Sequence, residues 1–197
     1  MVDGDPYSGE APGFAWEYND SDEGGLNALS LDGKTRMDTW STVRNLLKYE
    51  GIPARLKDKR IIELGSGRCT LFRDYCIDSQ AKEYIGVDLF EDPPFDQTKI
   101  GNTNVRYIKQ DALQFLKSQA PDSAIVAQAM LFCRENIRTY KTLEPKKIIK
   151  AVCLAVHRVV ASGEFLISWN ASPDFREELI AAGFQENDTE LVYTKAA

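Results

Sequence analysis

The chain has 197 residues, with 24 Lys plus Arg against 30 Asp plus Glu, 43% hydrophobic residues and 27% charged. A single globular domain of this length buries about 70% of the surface its unfolded chain exposes, enough for a full core without disulfides or a structural metal, and two domains would be cramped. The formal charge of -6 argues against a general nucleic-acid surface, which depends on clustered Lys and Arg.

Residues 1–33 stand apart. They carry eight acids, from Asp3 to Asp32, and no Lys or Arg, so the remainder is slightly basic, 24 against 22. The leader is rich in glycine yet holds Phe14, Trp16 and Tyr18, which a purely disordered tail seldom does. A partly ordered acidic flap is expected over 1–33, followed by one domain over 34–197. The first residues lack the basic start and apolar core of a signal peptide, and no apolar run approaches the roughly 20 residues needed to span a bilayer. These features predict a cytoplasmic protein with reduced thiols and no membrane segment.

From Thr35 to Tyr49, Trp40, Val43, Leu46 and Leu47 recur at helical spacing, and Gly51 and Pro53 suit a helix end. The period then changes. Short apolar runs at Ile61–Leu64, Tyr84–Leu89, Val105–Ile108, Ala124–Ala129 and Phe165–Trp169 alternate with helical stretches near 69–79, 112–119, 145–161 and 173–182. Such alternation specifies a parallel sheet with helices on both faces. The helix from Pro145 sets Ile148, Val152, Val156, Val159 and Val160 on one face for the sheet. Between Glu91 and Asn104, Pro93-Pro94 and weak periodicity predict an irregular loop. Gly183–Glu186 and Thr189–Thr194 leave no room for a crossover helix, so a closing antiparallel hairpin is expected. The fold class is α/β, with a single mostly parallel Rossmann-like sheet of seven strands.

Four cysteines lie far apart with no C-x-x-C pair, and His157 is the only histidine, so no metal site is expected. His157 reads as a packing or surface residue and Cys133 as an apolar filler.

The chemistry concentrates after the first strand of the alternating region, in Glu63-Leu64-Gly65-Ser66-Gly67-Arg68-Cys69-Thr70. Glycines there let the backbone turn tightly and let a ligand lie against it. The next strand ends in Asp88, 21 residues after Gly67, where a carboxylate can accept both hydroxyls of a ribose. The third ends in Gln110-Asp111-Ala112, which adds an acid beside the same crevice.

This set resembles the class I S-adenosylmethionine-dependent methyltransferases, as does the order of elements from about residue 36 to the end. The resemblance implies that Glu63 lies near the methionine part of the cofactor, that Asp88 holds the ribose and that Asp111 meets the adenine amino group. It implies a binding site that also draws on Gly65, Ser66, Gly67, Leu89, Ala112 and Gln128. Arg36, just before the first expected helix, is either a partner for the methionine carboxylate or a solvated arginine. The cofactor would be S-adenosylmethionine, leaving S-adenosylhomocysteine as product. Two departures stand out: Cys69 replaces the family's third glycine, and Gln128-Ala129-Met130 lacks the Asn-Pro-Pro-aromatic run of many amino methylases of nucleic-acid bases.

The acceptor side is expected to follow the fourth strand, over 128–134, with Met130 and Tyr140 as candidate substrate contacts, the Tyr140 hydroxyl serving either an acceptor or a structural hydrogen bond, and with Trp16 and Tyr18 either closing as a lid or packing the flap. The acceptor would be a protein side chain or a small molecule, drawn by the leader's field if it is cationic; nucleic acid is disfavoured and the oligomeric state is open. Two other readings stay in view. One is a catalytically silent methyltransferase-like binding or regulatory protein. The other is an NAD-dependent oxidoreductase, against which stand Thr70 where the dinucleotide fingerprint wants Gly or Ala, and the Glu63 carboxylate beside a pyrophosphate.

Overall fold

The computed structural model describes residues 14–18, 26–30, 36–38, 44, 47–66, 71–89, 97–128, 145–168, 173–187 and 191–197. It contains two sheets. The smaller is antiparallel and joins β1 (Phe14–Tyr18), β2 (Leu26–Ser30) and β3 (Arg36–Asp38) in that order, with Trp16 opposite Ala28 and Asn27 opposite Asp38. The expected helix over Thr35–Tyr49 is therefore corrected at its start: Arg36–Asp38 completes a β-ladder with the leader, and helix is present at 44 and 47–49.

The larger sheet has eight strands: β4 (Arg60–Leu64), β5 (Glu83–Asp88), β6 (Gln97–Ile100), β7 (Thr103–Lys109), β8 (Ile125–Gln128), β9 (Phe165–Ser168), β10 (Phe184–Glu186) and β11 (Val192–Lys195). Their spatial order is β10-β11-β9-β8-β4-β5-β7-β6. The core β9-β8-β4-β5-β7 is parallel, and β11 pairs antiparallel with β9 and β10. The eighth strand corrects the expected count of seven. It is β6, which pairs antiparallel with β7 inside the segment expected to be an irregular loop. Its side chains are exposed or half-buried, so it bears no apolar alternation by which a strand is usually read.

Helices α1 (Ile52–Leu56), α2 (Leu71–Asp78), α3 (Ala112–Ser118), α4 (Pro145–Val159) and α5 (Pro173–Ala181) complete the described elements. Alternation along the strands divides the core into two layers. Ile62, Leu64, Val87, Val126 and Leu166 face α3, α4 and α5; Ile61, Tyr84, Val105, Ile125 and Phe165 join the layer that holds α1 and α2. On α4 the buried stripe is Ile149, Val152, Cys153, Val156 and Val159, with Ile148 only partly covered. Each fully buried side chain of this kind contributes about 1.5–3 kcal/mol. His157 lies in the last turn of α4 rather than its middle, its ring edge-on to Phe184 at 5.3 Å.

The chain enters the sheet at β4, builds outward through β5 and β7, and returns across β4 to β8. The strand order thus reverses between β4 and β8, and in open α/β sheets a ligand crevice lies outside the carboxyl ends at such a point. Among the described residues no helix is long and apolar enough to cross a membrane.

Candidate functional site

The strand ends at the reversal carry the residues singled out in the sequence. β4 leaves the sheet through Gly65, whose φ of 68° lies in the left-handed region that glycine enters without penalty. Its N–H donates to the Val87 carbonyl at 2.8 Å, which prolongs the β4–β5 ladder by one step before the chain turns. Ser66 is buried, and its Oγ has no hydrogen-bond partner among the described residues. That hydroxyl lies over Gly86 on β5: a Cβ there would come within 2.8 Å of Ser66 Oγ and 2.7 Å of Tyr107 Cδ1. Only glycine leaves room for the turn above and the tyrosine beside it.

Glu63, the penultimate residue of β4, is 2% exposed and accepts a hydrogen bond from the Tyr84 hydroxyl. It lies opposite Gly86, on the α2 side of the sheet. Burial pushes its carboxyl up to about 8; the Tyr84 bond pulls the other way and the nearby Asp88 charge adds to the rise. Tyr84 in turn titrates well above 10, through burial and the neighbouring carboxyl.

Asp88 ends β5 half-buried, and its Oδ1 accepts the Leu89 N–H at 2.6 Å. Leu89 itself is 64% exposed, a large apolar side chain at the rim. Beside it, Gln110 N–H donates to the Asp88 carbonyl at 3.0 Å, so Asp111, the next residue, leaves the sheet adjacent to Asp88. Asp111 caps α3, accepting the Gln114 N–H at 2.9 Å, and Ala112 is buried below. On the other flank of β4, Gln128 pairs in register with Leu64 and Ser168. Gln128 and Ser168 are each 1% exposed, and Nε2 of Gln128 donates to Ser168 Oγ. Gln128 Oε1 is buried with no partner among the described residues.

Glu63, Gly65, Ser66, Asp88, Leu89, Asp111, Ala112 and Gln128 therefore lie at the carboxyl ends of four neighbouring strands. Gly67, Met130 and Tyr140 fall outside the described residues, as do Cys69, Cys133 and the rest of 129–134. Trp16 and Tyr18 lie on β1 and Arg36 opens β3. Sequence reasoning missed Tyr84 and Ser168. Tyr84 looks like one more aromatic in a strand, and only the parallel register brings it to the buried Glu63.

The fold is shared with solved methyltransferases. A methyltransferase from Archaeoglobus fulgidus described as SAM-dependent superposes with a TM-score of 0.51 at 18% identity, over 74% of this chain and 69% of that one. The N-methyltransferase NodS from Bradyrhizobium japonicum WM9 gives 0.54 at 10% identity, over 81% and 98%. Magnesium protoporphyrin IX methyltransferase from Synechocystis PCC 6803, solved with bound SAM, gives 0.50 at 14% identity, over 79% and 76%. No family model matches the sequence, and no curated protein does. The chain has the class I S-adenosylmethionine-dependent methyltransferase fold.

Proposed function

We propose that the chain binds S-adenosylmethionine at the β4–β8 reversal and transfers its methyl group to a protein side chain or small molecule. The observation that carries this reading is the pair of buried polar atoms without partners among the described residues, Ser66 Oγ and Gln128 Oε1, at the carboxyl ends of the two strands that flank the reversal. An unsatisfied buried polar atom costs about 1–3 kcal/mol, a cost a ligand with matching donors and acceptors relieves. The residues present fit the group in its other parts too. Asp88 would offer carboxylate oxygen to a ribose, the positive φ of Gly65 opens the backbone for close approach, and Asp111 at the next strand end would accept from an adenine amino group.

When bound, the cofactor supplies an activated methyl on a sulfonium sulfur. The chain's own part is alignment and exclusion of water. Asp88 and Asp111 would fix the nucleoside, the Gly65–Ser66 turn would form the wall nearest the methionine part, and Gln128, whose amide donates to Ser168, would lie towards the acceptor. Alignment of this kind is worth about 7 kcal/mol or more, so no catalytic triad is required. The raised Glu63 weakens one argument against a dinucleotide, because a protonated carboxyl does not repel a pyrophosphate; Thr70, at the sequence position where the dinucleotide fingerprint wants Gly or Ala, still counts against NAD.

Incubation with methyl-labelled S-adenosylmethionine and a fractionated lysate tests the proposal. Label is expected to appear in a protein or small-molecule fraction, and a cationic acceptor would fit the eight acids of the leader. Cofactor binding without transfer would instead identify a silent binding protein.

A further inference from the structure

Strand order stops at β6 on one side of the large sheet and at β10 on the other, and an edge strand offers a row of backbone donors and acceptors to any further strand. β6 carries the exposed Lys99, a charge of the kind that keeps edges apart. β10 is guarded less. Its middle residue, Gln185, is exposed and uncharged, and its one acid, Glu186, is held by Arg176 at 2.6 Å and by the Tyr193 hydroxyl at 2.8 Å. Asn187 N–H donates to the Val192 carbonyl at 2.9 Å, which makes those two residues a hydrogen-bonded pair of the hairpin. Bonded and non-bonded pairs alternate along an antiparallel ladder, so Gln185–Thr194 is bonded too, and the N–H and C=O groups of Phe184 and Glu186 are aimed away from β11. A large apolar side chain is exposed on each side of this edge. On the α5 side it is Ile180, 50% exposed, one turn beyond the Arg176 that reaches Glu186, with its carbonyl accepting the Gly183 N–H. On the α1 side, where Leu47 is buried, it is Tyr49, 83% exposed; the adjacent Glu50 accepts a hydrogen bond from Asn187, the residue after β10.

We propose that β10 is a dimerisation strand: two copies of the chain pair antiparallel along this edge, about a two-fold axis at Gln185. In that pairing Phe184 lies opposite Glu186 of the second copy, and each such pair exchanges both backbone bonds. The two Gln185 residues meet as the closer, non-bonded pair, and their side-chain amides can bond each other. An axis normal to the sheet keeps α5 of both copies on one face, so the two Ile180 side chains fall on one side of the joint and the two Tyr49 side chains on the other. A second copy is the occupant this edge selects, because the surface is its own complement. The backbone row repeats under a half-turn, the centre carries no charge for the axis to double, and apolar side chains flank it on both faces. The two sheets then run on as one. This inference is independent of the cofactor reading, whose crevice lies inside the edge, at the β4–β8 reversal.

Analytical ultracentrifugation of the full chain weighs the particle. A species of twice the 22.1 kDa chain mass is expected, dissociating on dilution. Gln185→Lys sets two like charges opposite each other at the axis and should raise the dissociation constant by about tenfold or more. Gln185→Glu should do the same. An equimolar mixture of the two variants should restore the dimer, because the axis then joins opposite charges. Ile180→Lys, on the surface of α5, should weaken the dimer in its own right, and it serves should a change within β10 unsettle the hairpin. Hydrogen exchange gives a local readout: the Glu186 amide is expected to be protected in the dimer and to exchange freely in Gln185→Lys. A monomer at every concentration up to submillimolar overturns the inference. So does a dimer that either lysine variant leaves intact, or a pair of Gln185 variants that stay apart when mixed.

Discussion

The two ends of the large sheet are built differently. At the amino ends charges meet partners: Glu83 sits between Arg60 at 2.9 Å and Arg106 at 3.4 Å, Glu164 takes Lys59 at 2.7 Å, and Lys195 meets Asp122 at 2.7 Å. At the carboxyl ends, among the described residues, Glu63 is buried with a hydrogen bond from Tyr84 and no ion pair, and Ser66 Oγ and Gln128 Oε1 have no partner. The same strands supply both ends, so the contrast does not come from fold or composition. The described residues complete one end, whereas at the other they leave buried polar groups without a complement among them.

The contrast orders the expected effects of substitution. The largest falls where the carboxyl end has no slack. Gly86→Ala puts a methyl 2.7 Å from Tyr107 and 2.8 Å from Ser66, and overpacking of this kind costs about 1–3 kcal/mol. For a chain of this size that lowers the melting temperature by roughly 2–4 °C per kcal/mol, measurable by thermal unfolding. Asp88→Ala comes next: it should weaken S-adenosylhomocysteine binding by about tenfold or more, at least ~1.4 kcal/mol, while the melting temperature of the ligand-free protein stays within about 2 °C. Unaltered affinity would remove Asp88 from the ribose role.

Glu63 gives a pH signature of its own. Below the ordinary carboxyl value of 4.5 both folded and unfolded chains hold its proton. Between there and about 8 the unfolded chain releases it and the folded one does not, so this group lowers stability as pH rises through that window. Denaturant melts of wild type and Glu63→Gln should diverge as pH rises from 5 to 8, the variant keeping the flatter profile. Parallel profiles would show the carboxyl ionising freely in the fold. At the opposite end, Glu83→Gln leaves Arg60 and Arg106 without their acid and should cost about 1 kcal/mol or less, with ligand affinity untouched. Smallest of all, Ser66→Ala deletes a buried hydroxyl that has no partner among the described residues. It should change the stability of the free protein by no more than about 0.5 kcal/mol, or raise it; a clear loss would mean that the hydroxyl has a partner in the free state.

The parallel core was legible because strands buried on both faces read as branched apolar runs. Ile61–Leu64, Val105–Ile108 and Phe165–Ser168 each fall within a run expected as strand, and the four helices α2 to α5 follow the expected segments. β6 was not legible: Gln97-Thr98-Lys99-Ile100 is an exposed edge strand, and Pro93-Pro94 just before it speaks for a loop. Nor was the sheet of β1 to β3, because Leu26-Asn27-Ala28-Leu29-Ser30 carries no β-branched or aromatic residue, while the helical spacing after Thr35 ran into β3. At the site, the acids could be picked out by their places at strand ends. The state of Glu63 could not, since it depends on Tyr84, 21 residues away, and on register across β5.

The most direct test of the account is thermal unfolding of the full chain with S-adenosylhomocysteine, with NAD, and with neither, for wild type and Asp88→Ala. The account predicts a concentration-dependent rise in melting temperature with S-adenosylhomocysteine, as mass action requires of a ligand bound only by the folded state. It predicts a smaller rise in Asp88→Ala and none with NAD. A shift with NAD alone, or none with S-adenosylhomocysteine at millimolar concentration, would contradict it.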